Sequence, residues 1–392
     1  MKWSPEQIKV VRAELARAPS KMEGYRRAAL ATDTTETAVR CLMQRIEASK
    51  GRPEPSENDS TLRSALAKYS DALSLRAEAS KIKTLERDLD ALRQAMDILA
   101  AATERPLPPI KRRELKSGMR EATAVAMLSD VHSEEHVRLG ETPVPNEYNP
   151  AIAERSIARF FAGYRWLIDF HRSAFQIRDV VLWLGGDLMS GHIHEELKEH
   201  TATPPIETLL WLRPRLAAGI DSLLADPKIE RISIPCSYGN HGRNTAKPFR
   251  ALGATHSYEW LLYQWLASIY EGNPRVQFLA DRSAHQYMRV YEWDLHFHHG
   301  DETNYQGGVG GVTIPLSKSV AQWDKAKRCH YHHFGHWHQY IDVGRMTVNG
   351  SVIGYNAYAM SIKAEPEPPQ QAFYILDSKR GKTCKCPIWV RE

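Results

Sequence analysis

Gly239-Asn240-His241 is the stretch on which the reading of this chain turns. An asparagine can offer its amide oxygen to a cation, and the histidine beside it can hold or release a proton near neutral pH. Four other short stretches of the same chemistry surround it. Asp130-Val131-His132 and Gly186-Asp187 precede it, while His299-Gly300 and Gly335-His336-Trp337-His338 follow. A D-x-H or a G-D arises by chance in many chains of this length, so no single stretch decides anything; all five in this order do.

Taken together, Asp130, His132, Asp187, Asn240, His299, His336 and His338 offer three oxygen and four imidazole ligands. Such a borderline set suits manganese, iron or zinc better than calcium. Seven ligands are too many for one tetrahedral site. One carboxylate between two ions lets seven side chains serve both, and two ions can clamp the attacking and leaving oxygens of an in-line displacement. The flanks agree. Residues 122–128 and 180–184 are short apolar, β-branched-rich runs that each lead to an acidic residue and a polar loop, so the carboxylates are expected at strand C-terminal ends. Residues 232–235 lead in the same way to Asn240.

On these five motifs the sequence resembles the calcineurin-like metallophosphoesterases across residues 120–374. The resemblance implies an α/β fold, a metallophosphoesterase-type β-sandwich flanked by helices, and two divalent ions. Manganese is the first expectation, with iron, zinc or magnesium as alternatives. It implies that Asp130, His132 and His338 hold one ion, that Asp187 bridges, and that Asn240, His299 and His336 hold the second. It also implies that a hydroxide shared by the metals attacks phosphorus and that His241 stabilises the transition state or protonates the leaving oxygen. Two departures stand out. The family's third motif commonly continues with an acidic residue, whereas Gly242 and Arg243 follow here, so His241 must be oriented from elsewhere and Arg243 becomes a candidate phosphate grip. The second motif, Gly186-Asp187-Leu188-Met189-Ser190-Gly191, lacks the acid and arginine of the phosphoprotein phosphatase branch; with Ser129 before Asp130 it is closer in style to SbcD-type DNA repair nucleases.

Other histidines have plainer readings. His192 and His194 also spell G-H-x-H, but just after the bridging aspartate, where they suit the substrate cleft. His296, His298 and His299 alternate along an expected strand, so one face alone reaches the metals; His299 precedes glycine as the motif requires, and His298 is the alternative. His330, His332 and His333 are expected to pack or to orient ligands.

The 392 residues, 42% hydrophobic, can bury a sizeable core in two or three domains. The absence of a bilayer-length apolar run and of a secretory pattern points to a soluble cytoplasmic chain without membrane contact. Five scattered cysteines suit a reducing compartment, and Cys384-Lys385-Cys386 reads as strand alternation. Residues 1–50 read as three helices: Ser4, Pro5 and Gln7 open the first, Gly24 and Tyr25 open the second, and the third turns Ala38, Val39, Leu42, Met43 and Ile46 inward. Ten Lys and Arg against six Asp and Glu there fit a helix-turn-helix-like unit on a phosphate backbone. The full expectation is a helix-turn-helix-like domain (1–50), a linker (51–60), a dimerising coiled coil (61–104), a basic Pro-rich hinge (105–118) and the catalytic domain (119–392). Its expected function is metal-dependent phosphodiester hydrolysis by a DNA nuclease, with DNA and a second copy of the chain as partners. The alternatives are a phosphatase or phosphodiesterase on a phosphoprotein or small phosphoester, and a DNA-binding scaffold with a structural metal site.

Overall fold

The computed structural model describes residues 3–49, 78–79, 81–83, 86, 107–113, 118–193, 195–305 and 310–391. The chain divides into two compact units, Met1–Leu85 and Glu86–Glu392. The linker at 51–60 and nearly all of the expected coiled coil at 61–104 lie outside the described residues.

The first unit holds three helices, α1 (Pro5–Arg17), α2 (Lys21–Ala31) and α3 (Glu36–Ser49). Ser4 and Gln7 form the expected capping box at α1. The second helix begins earlier than the sequence reading placed it. Ser20 caps it by accepting from the Glu23 N–H at 3.3 Å, and Gly24 lies inside, where a Cβ would come within 2.9 Å of Leu15. That glycine allows a close helix crossing instead of opening a helix. Val11, Ala28, Ala29, Val39 and Leu42 form the core, while Arg40, Gln44 and Arg45 face outward.

The second unit is an α/β sandwich of two sheets flanked by helices. The first sheet contains β1 (Arg120–Leu128), β2 (Phe175–Leu184), β3 (Arg231–Pro235), β4 (Val276–Leu279), β10 (Gln370–Asp377) and β11 (Gly381–Trp389), in the order β11-β10-β1-β2-β3-β4. Strands β1 to β4 run parallel, and β10 and β11 are antiparallel additions. The second sheet has the order β5-β6-β7-β9-β8, from β5 (Gln286–Val290), β6 (Trp293–Phe297), β7 (Tyr331–Phe334), β8 (Ile341–Val343) and β9 (Met346–Val348).

Alternation along β1 and β2 builds both cores. Ala124, Ala126, Leu128, Val180, Leu182 and Leu184 pack on the helix side, against α4 (Pro150–His171), α6 (Pro205–Leu224) and α7 (Tyr258–Ile269). Val125, Met127, Val181 and Trp183 pack instead with Leu295 and Phe297 of the second sheet. The short helix α5 (Glu195–His200) follows β2, α8 (Thr313–Ala326) precedes β7, and α9 (Ala357–Ser361) precedes β10. Part of the basic hinge is docked rather than solvated: Ile110 bridges to Val290, and the Arg113 guanidinium meets Glu121 at 3.1 Å and Asp179 at 2.8 Å. Those two carboxylates are buried and need a cation, which explains why basic residues sit there. Cys384 and Cys386 are free and lie on β11. Among the described residues no helix is long and apolar enough to cross a membrane.

Candidate metal centre

The loops that follow β1, β2, β3, β6 and β7 carry the five motifs, so two sheets deliver them to one edge of the sandwich. Backbone bonds lace the loops together. Asp130 N–H donates to the Gly186 carbonyl at 3.0 Å, and Val131 and His132 N–H both donate to the Asp187 carbonyl, at 2.8 and 3.0 Å. Asp130, His132, Asp187, His336 and His338 all have positive φ, between 48° and 75°. Side-chain-bearing residues rarely adopt that conformation, and where they do the strain tends to serve a site. Two motif glycines are explained by close approach. A Cβ on Gly239 would lie 2.1 Å from Asp187 Oδ1, and one on Gly335 would lie 2.5 Å from Asp130 Oδ2.

Two groups of donors result. The ligand atoms of Asp130, His132 and His338 lie within 4.8 Å of one another, as do those of Asp187, His299 and His336. His132 Nε2 is 3.2 Å from His338 Nε2, and His299 Nε2 is 2.9 Å from Asp187 Oδ2. Asn240 Oδ1 and His338 Nδ1 are buried without a hydrogen-bond partner.

The second nitrogen of each ring shows which face is bare. Ser190 Oγ donates to Glu135 Oε2 at 2.6 Å, so it accepts from His132 Nδ1 at 2.8 Å and leaves His132 Nε2 with its lone pair. His299 Nδ1 donates to the Gly185 carbonyl at 2.7 Å, and His241 Nδ1 donates to the Ser190 carbonyl at 3.0 Å. For His132 and His299 this is the arrangement of ligating imidazoles, whose Nδ1–H is held by a neighbouring oxygen, while His241 is oriented in the same way without belonging to either donor group. The residues therefore fit two divalent cations: oxygen and imidazole donors, orphaned buried atoms and fixed tautomers meet in one place.

Electrostatics agree. Burial pushes Asp130 up to about 7. Burial also opposes ionisation of Asp187, but the neighbouring His299 and His241 imidazoles prevail and hold its carboxyl well below the usual range. Burial would lower His299, yet Asp187 raises it well above the ordinary histidine value. A proton on His299 Nε2 thus stands where a cation would stand. Burial pushes His336 and His338 down to about 3, which keeps them neutral and able to coordinate.

Two buried carboxylates, Glu259 and Glu134, and the partly buried Glu135, none of which the sequence reading singled out, hold these loops. Glu259, in the first turn of α7, accepts from Leu188 N–H at 2.6 Å through Oε1 and from Gly239 N–H at 2.7 Å through Oε2. It thereby ties the residue after Asp187 to the residue before Asn240. A Cβ on Gly242 would meet Glu259 Cγ at 2.7 Å, so the glycine found where an acid was expected makes room for an acid from another element. Glu134 accepts from Ser190 and Gly191 N–H at 2.9 and 2.8 Å, and Glu135 holds the Ser190 hydroxyl. Ser190 consequently orients two rings, His132 through its hydroxyl and His241 through its carbonyl.

The remaining candidates are not members of the two donor groups. Arg243 directs its guanidinium at the carbonyls of Asn240, Thr245 and Ala246, which orders its own loop and leaves the fork engaged. His192 Nε2 contacts Thr201 Oγ1 at 3.1 Å and belongs to neither donor group, and His194 lies outside the described residues. A third group, His285, His298 and Glu302, is similarly close. His298 Nδ1, however, accepts the Gly300 N–H at 2.9 Å, so its Nε2 carries the hydrogen and is closed to a metal. His333 bonds the His296 carbonyl and the Tyr374 hydroxyl, a packing role.

No family model and no curated protein matches the chain. Among solved structures it is similar to Vps29 complexed with zinc from Entamoeba histolytica, at 12% identity over 68% of this chain and 99% of that one, with a TM-score of 0.27. A dimetal phosphatase from Danio rerio is similar at 11% identity over 69% of this chain and 99% of that one, with a TM-score of 0.30. A hypothetical protein from Pyrococcus horikoshii OT3 is similar at 13% identity over 69% and 89%, with a TM-score of 0.35. What speaks for metal is this chain's own donor set.

Proposed function

We propose that the second unit is a metallophosphoesterase of the calcineurin-like type that hydrolyses phosphodiesters with two divalent ions, and that its substrate is DNA. The observation that carries the chemistry is the pairing of two donor triads with a separately oriented histidine, His241, whose ring meets His132 edge-on at 4.9 Å. A purely structural metal site has no use for such a group. Asp130, His132 and His338 would hold one ion, Asn240, His299 and His336 the other, and Asp187 would lie between them. When bound, the ions supply a nucleophile at neutral pH and neutralise charge on the phosphoryl oxygens. Manganese suits the mixed oxygen and nitrogen donors. His241, aimed by the Ser190 carbonyl, carries a proton at Nε2 to the leaving oxygen.

DNA as substrate is supported by residues 1–50 of the first unit, which have a surplus of four positive charges and whose α3 presents Arg40 and Arg45 to solvent. We infer that this unit docks on the duplex and that residues 61–104 pair two chains, placing two centres on one substrate. The decisive experiment is cleavage of linear and covalently closed circular DNA with manganese, with Asp187→Asn as control. Manganese-dependent cutting absent from the variant supports the reading, and circular DNA distinguishes endonuclease from exonuclease. Turnover of an aryl phosphoester without either DNA would replace DNA with a phosphoprotein or small phosphoester. If Arg40→Ala/Arg45→Ala leaves DNA affinity and its salt slope unchanged, the first unit does not dock DNA.

A further inference from the structure

We propose that the pocket beside Asn240 is a subsite for a nucleobase attached to the scissile phosphodiester, a proposal that rests on the phosphodiesterase reading above. Asn240, Phe249, Arg250, His256, Asp301 and Glu302 line it, and Asn240 makes it continuous with the donor cluster. Its outer wall is residues 243–256, a segment with Arg243, Lys247 and Arg250 and no acidic residue. That wall is fixed in shape. The Arg243 fork gathers the Thr245 and Ala246 carbonyls and ties them to that of Asn240, His256 Nδ1 contacts Asn244 Oδ1 at 3.0 Å, and the Thr245 hydroxyl donates to the Lys247 carbonyl at 2.7 Å.

Phe249 is the unexplained member. It is 46% exposed, yet its ring is braced edge-to-face on His256 at 4.8 Å. A braced, exposed ring on the wall of a pocket that opens onto a hydrolytic centre offers a flat face to a planar ligand. The other side of the pocket selects what that ligand is. Asp301 and Glu302 stand there, and Glu302 is held by His285 at 3.4 Å and Arg250 at 2.8 Å. Two carboxylates repel a second phosphate, whereas they accept hydrogens from an exocyclic amine. Cytosine, adenine and guanine offer that amine and thymine does not. Arg250, paired with Glu302, keeps a side chain that is 63% exposed.

The test uses the full-length protein with manganese and three p-nitrophenyl phosphodiesters that share one leaving group: the methyl ester, the thymidine 5′ ester and the 2′-deoxycytidine 5′ ester. Water adds across the P–O(aryl) bond and p-nitrophenol release is read. The deoxycytidine ester should exceed the methyl ester in kcat/KM by about tenfold, the scale of one stacked base, with thymidine between them. Phe249→Ala should bring both nucleoside esters to the methyl level without changing the methyl rate, and Phe249→Tyr should retain the advantage. Turnover of the methyl ester with no nucleoside advantage overturns the subsite and leaves the phosphodiesterase reading standing. An equal fall on all three esters in Phe249→Ala also overturns it, because the residue would then act only through loop stability. Failure to turn over any of the three overturns both readings.

Discussion

His299 and His298 are neighbours in sequence, yet their rings are wired in opposite senses. His299 gives its Nδ1 hydrogen to the Gly185 carbonyl and turns Nε2 towards the Asp187 carboxylate at 2.9 Å, whereas His298 Nδ1 accepts the Gly300 N–H and its Nε2 keeps the hydrogen. The contrast extends to their surroundings. Around His299 the imidazoles of His132 and His241 are each pinned through Nδ1 to Ser190, and buried donor atoms of Asn240 and His338 lack partners. On the other side, Arg345 contacts His332 Nε2 at 3.3 Å, His332 contacts His296 at 3.0 Å, His296 contacts His285 at 2.9 Å, and His285 reaches Glu302 at 3.4 Å. One hydrogen per ring satisfies every link of that chain. The first group gathers oxygen and imidazole donors around unpartnered atoms, while the second is a relay of paired rings beside which His298 Nε2 is buried without a partner, and the partner of the other ring nitrogen helps tell them apart where residue type does not.

The largest effect should come from Asp187→Asn, which removes the charge proposed to lie between the two ions. Activity should vanish and bound metal should fall from two ions per chain to one or none by elemental analysis; retained turnover would break the two-metal account. Next, His299→Ala should lose one ion while His298→Ala keeps both, since the latter costs only the stability of an orphaned Gly300 N–H, about 1–3 kcal/mol. Equal metal loss in the two variants would erase the contrast between neighbours. His241→Ala should bind both ions and slow kcat by roughly a hundredfold, the scale of a positioned acid.

Smaller effects belong to the groups that hold the loops. Ser190→Ala frees the His132 ring and should weaken metal affinity about tenfold or more, as loss of such a partner does elsewhere; an unchanged affinity would mean that the hydroxyl does not set the tautomer. Glu259→Gln leaves one of two buried N–H groups facing an amide donor, so thermal unfolding should register a loss of about 1–3 kcal/mol with metal retained. The pH dependence sharpens the same point. Asp130, raised to about 7, and His299, held protonated by Asp187, must both shed protons before they coordinate. Apparent metal affinity should therefore rise as pH climbs through neutrality, with protons released on binding; calorimetry in buffers of differing ionisation enthalpy checks the sign.

Much of the fold and of the donor set was legible because local rules govern it. Apolar runs leading to Asp130 and Asp187 mark strand ends, and the Ser4, Pro5 and Gln7 signature marks the start of α1. Gly24 misled because glycine more often punctuates a helix than permits a crossing, although Ser20 with Glu23 three residues on was a readable cap. The basic hinge read as a connector because Arg113 meets Asp179 across 66 positions, a distance at which sequence pattern is silent. Glu259 was hidden for the same reason: it reaches Leu188 from 71 residues away. The one available hint was negative, a glycine at 242 where the resembled motif carries an acid.

The most direct test of the central claim is metal stoichiometry, by elemental analysis after dialysis against manganese, for the unaltered chain, His299→Ala and His285→Ala. Two ions, one ion and two ions respectively are the expected results. A single ion in the unaltered chain, or loss of an ion in His285→Ala with none lost in His299→Ala, would contradict the assignment of the metal centre to Asp130, His132, Asp187, Asn240, His299, His336 and His338.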